Sequence, residues 1–356
     1  MRVTARLALL IAVVLATPAA AGAPAWQRLP AAPFPSGPLP AGAATDAAAV
    51  WTGKAMLLFA RAHPKSAIDV AAAYDPATRT WRRLDPLAGP TGGYEGRYQA
   101  VWTGREMLVF GPFDFQGYTP ATNHWRRLRT GGSGPNELIA WTGREVLTWG
   151  GGCCGDASNA GAAYDPRTNT WRRLPASPLA PTQRPQGAWD GRELVILVSG
   201  VDPDGNPYPA GFARAAAYDP TTNTWRRIAA PPERRSGAVG VWNGEQVLFI
   251  GGSAARFGKP VTKTGLAYDP VRNRWSRLPP SPTFTYGFVA VRAGGRVVAW
   301  GGYPAHGAQY VPAAGRWFAL PRAPLRGRQF PAAVWTGDEL LVWGGFRAND
   351  GAAFTL

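Results

Sequence analysis

The feature that most constrains this chain is a short aromatic motif that occurs six times. One copy reads AYDPRTNTWRRL, from Ala163 to Leu174. In every copy a tyrosine precedes a tryptophan by seven residues, and the pairs are Tyr74 and Trp81, Tyr118 and Trp125, Tyr164 and Trp171, Tyr218 and Trp225, Tyr268 and Trp275, and Tyr310 and Trp317. Such a fixed internal spacing indicates a repeated structural unit.

The residues between the tyrosine and the tryptophan predict a hairpin turn. Asp-Pro opens the turn in most copies, because Asp accepts backbone hydrogen bonds and Pro fixes the next dihedral. The third residue after Pro is of a type that tolerates a left-handed backbone in five copies, which carry Asn123, Asn169, Asn223, Asn273 and Gly315. Arg79 is the exception.

A second hairpin precedes each of these motifs. The copy VWTGREMLVFG, from Val101 to Gly111, has relatives that begin at Trp51, Trp141, Trp189, Trp242, Arg292 and Trp335. Their central pairs, such as Asn243-Gly244, favour the tight turns that match strand twist. Two consecutive hairpins predict a four-stranded antiparallel sheet.

The repeated tryptophans lie 42 to 54 residues apart, which is the length of a propeller blade. Gly-Gly at the end of the second strand, Tyr in the third and Trp in the fourth resemble the kelch family of β-propellers. The resemblance covers nearly the whole chain and implies an all-β propeller, but a fold does not define a function. Three copies depart from the pattern, with Ala60-Arg61, Gly111-Pro112 and Ser199-Gly200 at the Gly-Gly position.

The first hairpin has seven copies and the second has six, and the missing pieces lie near the two ends. The segment AWQRLP, from Ala25 to Pro30, repeats the Trp-Arg-Leu strand, and Phe354 stands where each tyrosine stands. We therefore predict a seven-bladed ring in which the N-terminal strand around Trp26 completes the blade built by residues 329 to 356.

The N-terminal segment predicts export. Arg2 and Arg6 precede an apolar run from Leu7 to Ala16, and small residues follow, with cleavage expected after Ala21. We expect residues 1–21 to be a signal peptide and residues 22–356 to form one propeller, a monomer that is secreted or periplasmic. No other stretch approaches the roughly 20 apolar residues of a membrane span.

The net charge of +16 favours acidic partners. Arg-Arg pairs that begin at Arg82, Arg126, Arg172 and Arg226 fall on the predicted outermost strands. Charge there discourages edge-to-edge pairing of sheets, and a collar that binds polyanions is the alternative. We expect no nucleic-acid partner, because the repeated tryptophans are needed between blades and export separates the protein from nucleic acid.

Propeller loops divide into two sets on opposite faces. Turns within the hairpins are short and repetitive, and we call their side the regular face. The links between the two hairpins, and from each blade to the next, vary in length and content, and we call their side the variable face. Since function concentrates where loops vary, we predict a site on the variable face, at the mouth of the central channel.

Four inter-blade links carry an arginine shortly before the innermost strand: Arg97, Arg184, Arg235 and Arg328. They stand five or seven residues before the hairpin tryptophan, so strand parity predicts that they project alike. The kelch resemblance implies that such arginines bind carboxylates of an acidic peptide or sugar, a role that suits the guanidinium fork. A structural role, with pairing to nearby carbonyls, Glu95 or Glu233, is the alternative. Tyr286 and Asn136 lie in equivalent links and are further candidate ligand-binding residues.

Little in the sequence points to catalysis, and we expect no metal and no cofactor. The histidines are His63, His124 and His306. Galactose oxidase, a copper enzyme on a kelch-type propeller, needs paired histidines and a tyrosine beside one of them, and this chain has no Tyr-His pair. Acidic residues form no repeated pair of the glycosidase kind.

Cys153 and Cys154 are adjacent. Their Cα atoms are held about 3.8 Å apart by one peptide unit, which is shorter than a disulfide usually allows. In an oxidising compartment we expect a vicinal disulfide, with two free thiols as the alternative.

Two functions remain open. The first is an exported kelch-repeat binding protein that recognises an acidic glycan or an acidic protein segment. The second is a carbohydrate-active enzyme, a lyase or an enzyme similar to the sialic acid epimerases, with Glu95, Glu137 or Glu233 as the base.

Overall fold

The structure is a computed structural model that describes residues 24–34, 44–61, 69–86, 98–111, 115–132, 136–152, 156–198, 214–253, 262–282, 286–304, 306–346 and 348–356. These residues form strands joined by turns and links, with a single 3₁₀ turn at Pro312–Ala314. Across the described ranges, no helix is long and apolar enough to cross a membrane.

In chain order the strands are β1 (Ala25–Arg28), β2 (Ala44–Trp51), β3 (Met56–Arg61), β4 (Asp69–Asp75), β5 (Thr80–Leu84), β6 (Gln99–Trp102), β7 (Met107–Phe110), β8 (Phe115–Thr119), β9 (His124–Arg127), β10 (Leu138–Trp141), β11 (Val146–Trp149), β12 (Gly161–Asp165), β13 (Thr170–Arg173), β14 (Gln186–Trp189), β15 (Leu194–Val198), β16 (Arg214–Asp219), β17 (Thr224–Arg227), β18 (Val239–Trp242), β19 (Val247–Ile250), β20 (Gly265–Asp269), β21 (Arg274–Leu278), β22 (Phe288–Ala293), β23 (Arg296–Gly301), β24 (His306–Val311), β25 (Arg316–Ala319), β26 (Ala332–Trp335), β27 (Glu339–Trp343), β28 (Gly345–Phe346) and β29 (Gly351–Thr355).

Seven antiparallel sheets make up the molecule, as predicted. Blades 1 to 6 take their strands in sequence order, from β2–β5 through β22–β25, and blade 7 has the order β26-β27-β29-β1. The short strand β28 adds to the edge of blade 1. Each innermost strand contacts the next, and β26 returns to β2, so the blades form a closed ring.

The N-terminal strand closes this ring. Trp26 of β1 pairs in register with Phe354 of β29, and their ring centroids lie 5.0 Å apart. The indole N–H of Trp26 also donates to the Pro321 carbonyl of blade 6, at 2.9 Å. The predicted closure of the last blade by the strand around Trp26 is therefore confirmed.

The turn chemistry is also as predicted. Asn123, Asn169, Asn223, Asn273 and Gly315 all have a left-handed backbone, with φ between 47° and 61°. Arg79, the exception in residue type, adopts the same conformation, with φ at 55°. The backbone geometry is thus common to all six turns, and only the side chain differs.

The tryptophan of the motif ties most blades to the preceding one. In five blades the indole N–H donates to the carbonyl that lies four residues after the preceding blade's tryptophan. These bonds are Trp26 to Pro321, Trp81 to Pro30, Trp171 to Arg129, Trp225 to Pro175 and Trp275 to Ala229, at 2.7 to 3.0 Å. The repeated seven-residue motif therefore specifies contacts between blades as well as a hairpin within each blade.

The arginine after the tryptophan reaches in the opposite direction, since successive strand residues face opposite sides of a sheet. Arg172 donates to Glu145 of its own blade at 2.6 Å, and to Tyr218 Oη and Asn223 Oδ1 of the next blade at 3.2 and 3.1 Å. Arg126 binds Glu106 through two donors, and these bonds raise the pKa of the guanidinium. The first arginine of each pair also donates to the next blade, so it acts as a brace between blades.

Candidate functional site

Four of the links that enter the innermost strands on the variable face share a kink. The residue five positions before the hairpin tryptophan, or before Arg292 in blade 6, has a left-handed backbone at Asn136, Gly237, Gly287 and Phe330. Phe330, with φ at 55°, is the only one of the four that is neither Asn nor Gly. A bulky residue in this conformation is strained, and such strain is concentrated at functional sites.

Arg235 lies inside its own blade. The residue is 1% exposed, and its guanidinium donates to Glu233 and to the hydroxyls of Thr262 and Thr264. It also donates to the Gly251 carbonyl at 3.4 Å. A buried charge requires this degree of pairing. This burial and pairing are what we expect if Arg235 has a structural role and not a ligand-binding one.

Arg328 makes an equivalent clamp in blade 7. It is 1% exposed and donates to the Asp350 carboxylate at 2.6 Å. It also donates to the carbonyls of Asp350 and Gly344, at 3.1 and 3.4 Å. Like Arg235, it reaches the carbonyl of the first glycine of a Gly-Gly pair and that of the residue before the third strand. A ligand on the surface would have no access to either guanidinium.

Arg184 behaves differently, because it is exposed. Its Nη1 donates to the phenol oxygen of Tyr286 at 3.2 Å, although the two residues are 102 positions apart. Arg184 lies in the link from blade 3 to blade 4, and Tyr286 in the link from blade 5 to blade 6. Links that are two blades apart can meet only near the ring axis, so this contact marks the channel mouth.

An aromatic pair extends the contact. The rings of Tyr286 and Phe330 meet edge to face, with centroids 5.2 Å apart and an interplanar angle of 87°. The Phe330 N–H also donates to the Gly287 carbonyl at 2.5 Å. We call Arg184, Tyr286 and Phe330 the mouth cluster. Three inter-blade links thus place one cation and two aromatic rings together.

The prediction that the arginines project alike is wrong for the three that the structure describes. Arg184 is exposed, whereas Arg235 and Arg328 are buried. Strand parity fails here because the link residues are not in a regular strand and the left-handed kink reorients the chain.

The remaining predicted residues are distributed as follows. Asn136 donates to the Gly152 carbonyl of its own blade at 3.3 Å. Glu137 is buried, at 6% exposure. Glu233 pairs with Arg235 and lies 3.8 Å from Arg277. Arg97, Glu95, Cys153 and Cys154 lie outside the described residues, and the predictions made for them stay predictions.

Sequence reasoning missed two glutamines that hold the links in place. Gln99 donates to the Glu137 carbonyl at 2.7 Å. Gln186 donates to the Arg235 carbonyl at 2.6 Å and accepts from the Ala238 N–H at 2.9 Å. Each stands three residues before the hairpin tryptophan of its blade. Their shared position was a signal that could have identified them.

The described residues do not provide the donor set of a copper centre. In the part of the chain that the structure describes, no three His, Cys, Asp or Glu side chains are grouped to hold a metal ion. His124 begins β9 in blade 2 and His306 begins β24 in blade 6, while His63 lies outside the described residues.

Comparison with known proteins identifies the fold and no closer relationship. No family model matches the chain, and no curated protein matches it. Among solved structures, a fungal alcohol oxidase of the AA5 family in complex with copper is similar, with a TM-score of 0.68 at 16% identity. The match covers 94% of this chain and 76% of the oxidase. At that identity the similarity concerns the propeller fold alone.

Proposed function

We propose that this protein is an exported kelch-type propeller that binds an acidic glycan or an acidic protein segment at the mouth cluster. The observation that carries the proposal is the contact between Arg184 and Tyr286 across two blades. It places an exposed guanidinium where the variable links converge.

The chemistry of the cluster supports an anionic ligand that also has a ring or an apolar face. A guanidinium presents a planar fork that matches a carboxylate. Tyr286 and Phe330 add an aromatic surface beside it, and both are half-buried. The net charge of +16 would raise the local concentration of acidic ligands.

The kelch assignment is supported by the Gly-Gly pairs, whose members all have positive φ in the four blades that carry them: Gly150 and Gly151, Gly251 and Gly252, Gly301 and Gly302, and Gly344 and Gly345.

Export is supported by the N-terminal charge and hydropathy pattern alone. N-terminal sequencing of the natural protein should begin at Gly22, and an intact leader would contradict export by cleavage. Intact mass before and after reduction and alkylation would test the Cys153–Cys154 disulfide.

The binding proposal is tested by calorimetric titration with acidic and neutral oligosaccharides and with acidic peptides. Arg184→Gln should weaken binding of the acidic ligands by about tenfold or more, as expected for loss of a charge-assisted contact. Arg192→Gln is the matched control, because Arg192 is an exposed arginine at a tight turn of blade 4 on the regular face. Equal affinities of both variants and the parent for every acidic ligand would contradict the proposal.

A carbohydrate-active enzyme is the second candidate, and the burial of Glu137 favours it. This carboxylate is 6% exposed and lies in a link on the variable face. A buried carboxylate in such a position is a candidate general base. Turnover of an acidic sugar that is lost in Glu137→Gln, while binding persists, would establish the enzyme. Binding without turnover in the parent protein would favour the first function.

A further inference from the structure

The outermost strands carry a second surface, which the proposed function does not use. On each of these strands the residue two positions after the tryptophan shares its face of the sheet. In five blades this residue is an arginine beside a half-buried indole, and the pairs are Trp26 and Arg28, Trp81 and Arg83, Trp171 and Arg173, Trp225 and Arg227, and Trp275 and Arg277. The structure thus repeats one indole–guanidinium unit around its circumference.

The guanidinium groups of these units are exposed. The side chains of Arg83 and Arg277 keep 63% and 64% of their surface accessible. Arg83 pairs with Asp85 at 2.9 Å, and Arg277 lies 3.8 Å from Glu233. Surface ion pairs of this kind contribute little free energy, so a better anion can replace the carboxylate.

Two blades interrupt the series. In blade 2 the indole of Trp125 is buried, at 7% exposure. In blade 6 Ala319 stands where the arginine would be. The longest uninterrupted arc therefore runs over blades 3, 4 and 5. We call the three units of this arc the collar: Trp171 and Arg173, Trp225 and Arg227, Trp275 and Arg277.

We propose that the collar binds a linear acidic polysaccharide, with sugar rings against the indoles and carboxylate or sulfate groups on the arginines. An aromatic face suits the apolar face of a sugar ring, and a guanidinium fork suits a planar anion. Three equal units in a row add avidity for a polymer that repeats the same group.

Two features favour polysaccharide binding by the collar over edge protection alone and over membrane binding. Edge protection alone is commonly provided by lysine, yet the lysines of the chain, Lys54, Lys65, Lys259 and Lys263, all lie elsewhere. A flat bilayer could touch only part of an arc that follows the circumference, whereas a flexible chain can follow it. The collar therefore fits a polymer better than a membrane.

The test compares two variants that remove the same charge. The collar variant is Arg173→Gln, Arg227→Gln and Arg277→Gln. The control variant is Arg105→Gln, Arg144→Gln and Arg192→Gln, which changes three exposed arginines in tight turns of the regular face. Binding to polygalacturonate, dextran sulfate and neutral dextran is measured by affinity electrophoresis, after gel filtration has established that each variant is monodisperse.

We expect the collar variant to lose about tenfold in affinity for at least one of the two acidic polymers, with multivalency amplifying each lost contact, and the control variant to lose less than about threefold. The polymer that is affected identifies carboxylate or sulfate as the preferred group. Equal losses of affinity in the two variants would show that binding depends only on the net charge of the protein, and would overturn the proposal.

Two further measurements keep the result interpretable. The collar variant keeps Arg184 and should bind short acidic oligosaccharides with the affinity of the parent, so the collar proposal and the mouth proposal can fail separately. Replacement of the three collar arginines by lysine keeps the charge and the edge protection but removes the fork. Parent-like binding by that variant would overturn the assigned role of the guanidinium groups.

Discussion

Arg79 donates a hydrogen bond to Gln27 Oε1 at 2.7 Å, and this bond joins blade 1 to blade 7. At two other blade boundaries the arginine follows the tryptophan and donates to the left-handed Asn of the next blade, as Arg82 does to Asn123 at 2.9 Å and Arg172 to Asn223 at 3.1 Å. Gln27 occupies the arginine position and Arg79 the asparagine position. Donor and acceptor are therefore exchanged where the chain ends meet, which explains why Arg79 departs from the Asn or Gly rule.

The exchanged pair predicts that a double variant is more stable than either single variant. Gln27→Arg would place two guanidinium groups together, and Arg79→Asn would remove the donor, so each should lower the free energy of unfolding by about 1 kcal/mol. The variant with both changes restores the arrangement seen at Arg172 and should recover most of the loss. Urea unfolding of the four proteins gives the coupling energy. Strict additivity of the two single effects would show that the pair is not coupled.

Removal of the Trp26 side chain should weaken the closure of the ring. Trp26 contacts Phe354 and Trp300, with ring centroids 5.0 and 5.8 Å away, and it is half-buried. Trp26→Ala should lower the free energy of unfolding by about 2 to 3 kcal/mol, below the range for a fully buried tryptophan. Trp26→Phe keeps an aromatic ring and should lose less. If thermal denaturation gave the same midpoint for Trp26→Ala and the parent, Trp26 would have no role in closing the ring.

Loss of a buried clamp should lower stability without a direct effect on ligand contacts. Arg328→Gln removes the shorter of the two arginine contacts of Asp350, which are 2.6 Å to Arg328 and 3.2 Å to Arg28. We expect a loss of about 2 kcal/mol from the hydrogen bonds of the buried guanidinium, because the Asp350 carboxylate is partly exposed and keeps its contact with Arg28. Arg326→Gln, at an exposed position two residues away, is the control and should change stability by less than about 0.5 kcal/mol. A stable Arg328→Gln with impaired ligand binding would instead favour a direct role for Arg328.

Acid should destabilise the turns of blades 3 and 5. Hydrogen bonds from Arg167 and Arg272 lower the pKa of Asp165 and Asp269, respectively, below the ordinary value of 3.8. A carboxylate with a depressed folded pKa contributes stability that is present above its unfolded pKa and is lost as the pH falls. The midpoint temperature of thermal denaturation should therefore decrease as the pH is lowered below about 4. The decline should be shallower in a variant with Asp165→Asn and Asp269→Asn, and an unchanged decline would contradict the assignment.

Most of the fold follows from the sequence because its signals are local and repeated. The left-handed turn residue, the tight Gly turns and the seven-residue spacing recur in six or seven copies, so an error in one copy is corrected by the others. Even the long-range pairing of Trp26 with Phe354 follows, because each residue has a counterpart in the complete blades.

The site is less predictable because nothing in it repeats. Arg184 and Tyr286 meet across 102 residues, in links whose length and content vary. The left-handed backbone of Phe330 could not be predicted from the sequence, because phenylalanine rarely adopts this conformation. In the sequence, the exchange of Gln27 and Arg79 shows only as an arginine at a turn position that is otherwise Asn or Gly. The contact between the two residues is needed to explain it. Patterns define the blades, whereas contacts between unique links define the mouth.

The pairing of Trp26 with Phe354 also sets an order of events during biosynthesis. The partner of β1 is β29, which pairs with it through residues 352–355, so the seventh sheet cannot assemble until the ribosome has added Thr355. Pairing over so large a sequence separation is entropically slow. Until then, the first strand has no sheet to join, and the nascent protein exposes an edge that chaperones would have to shield.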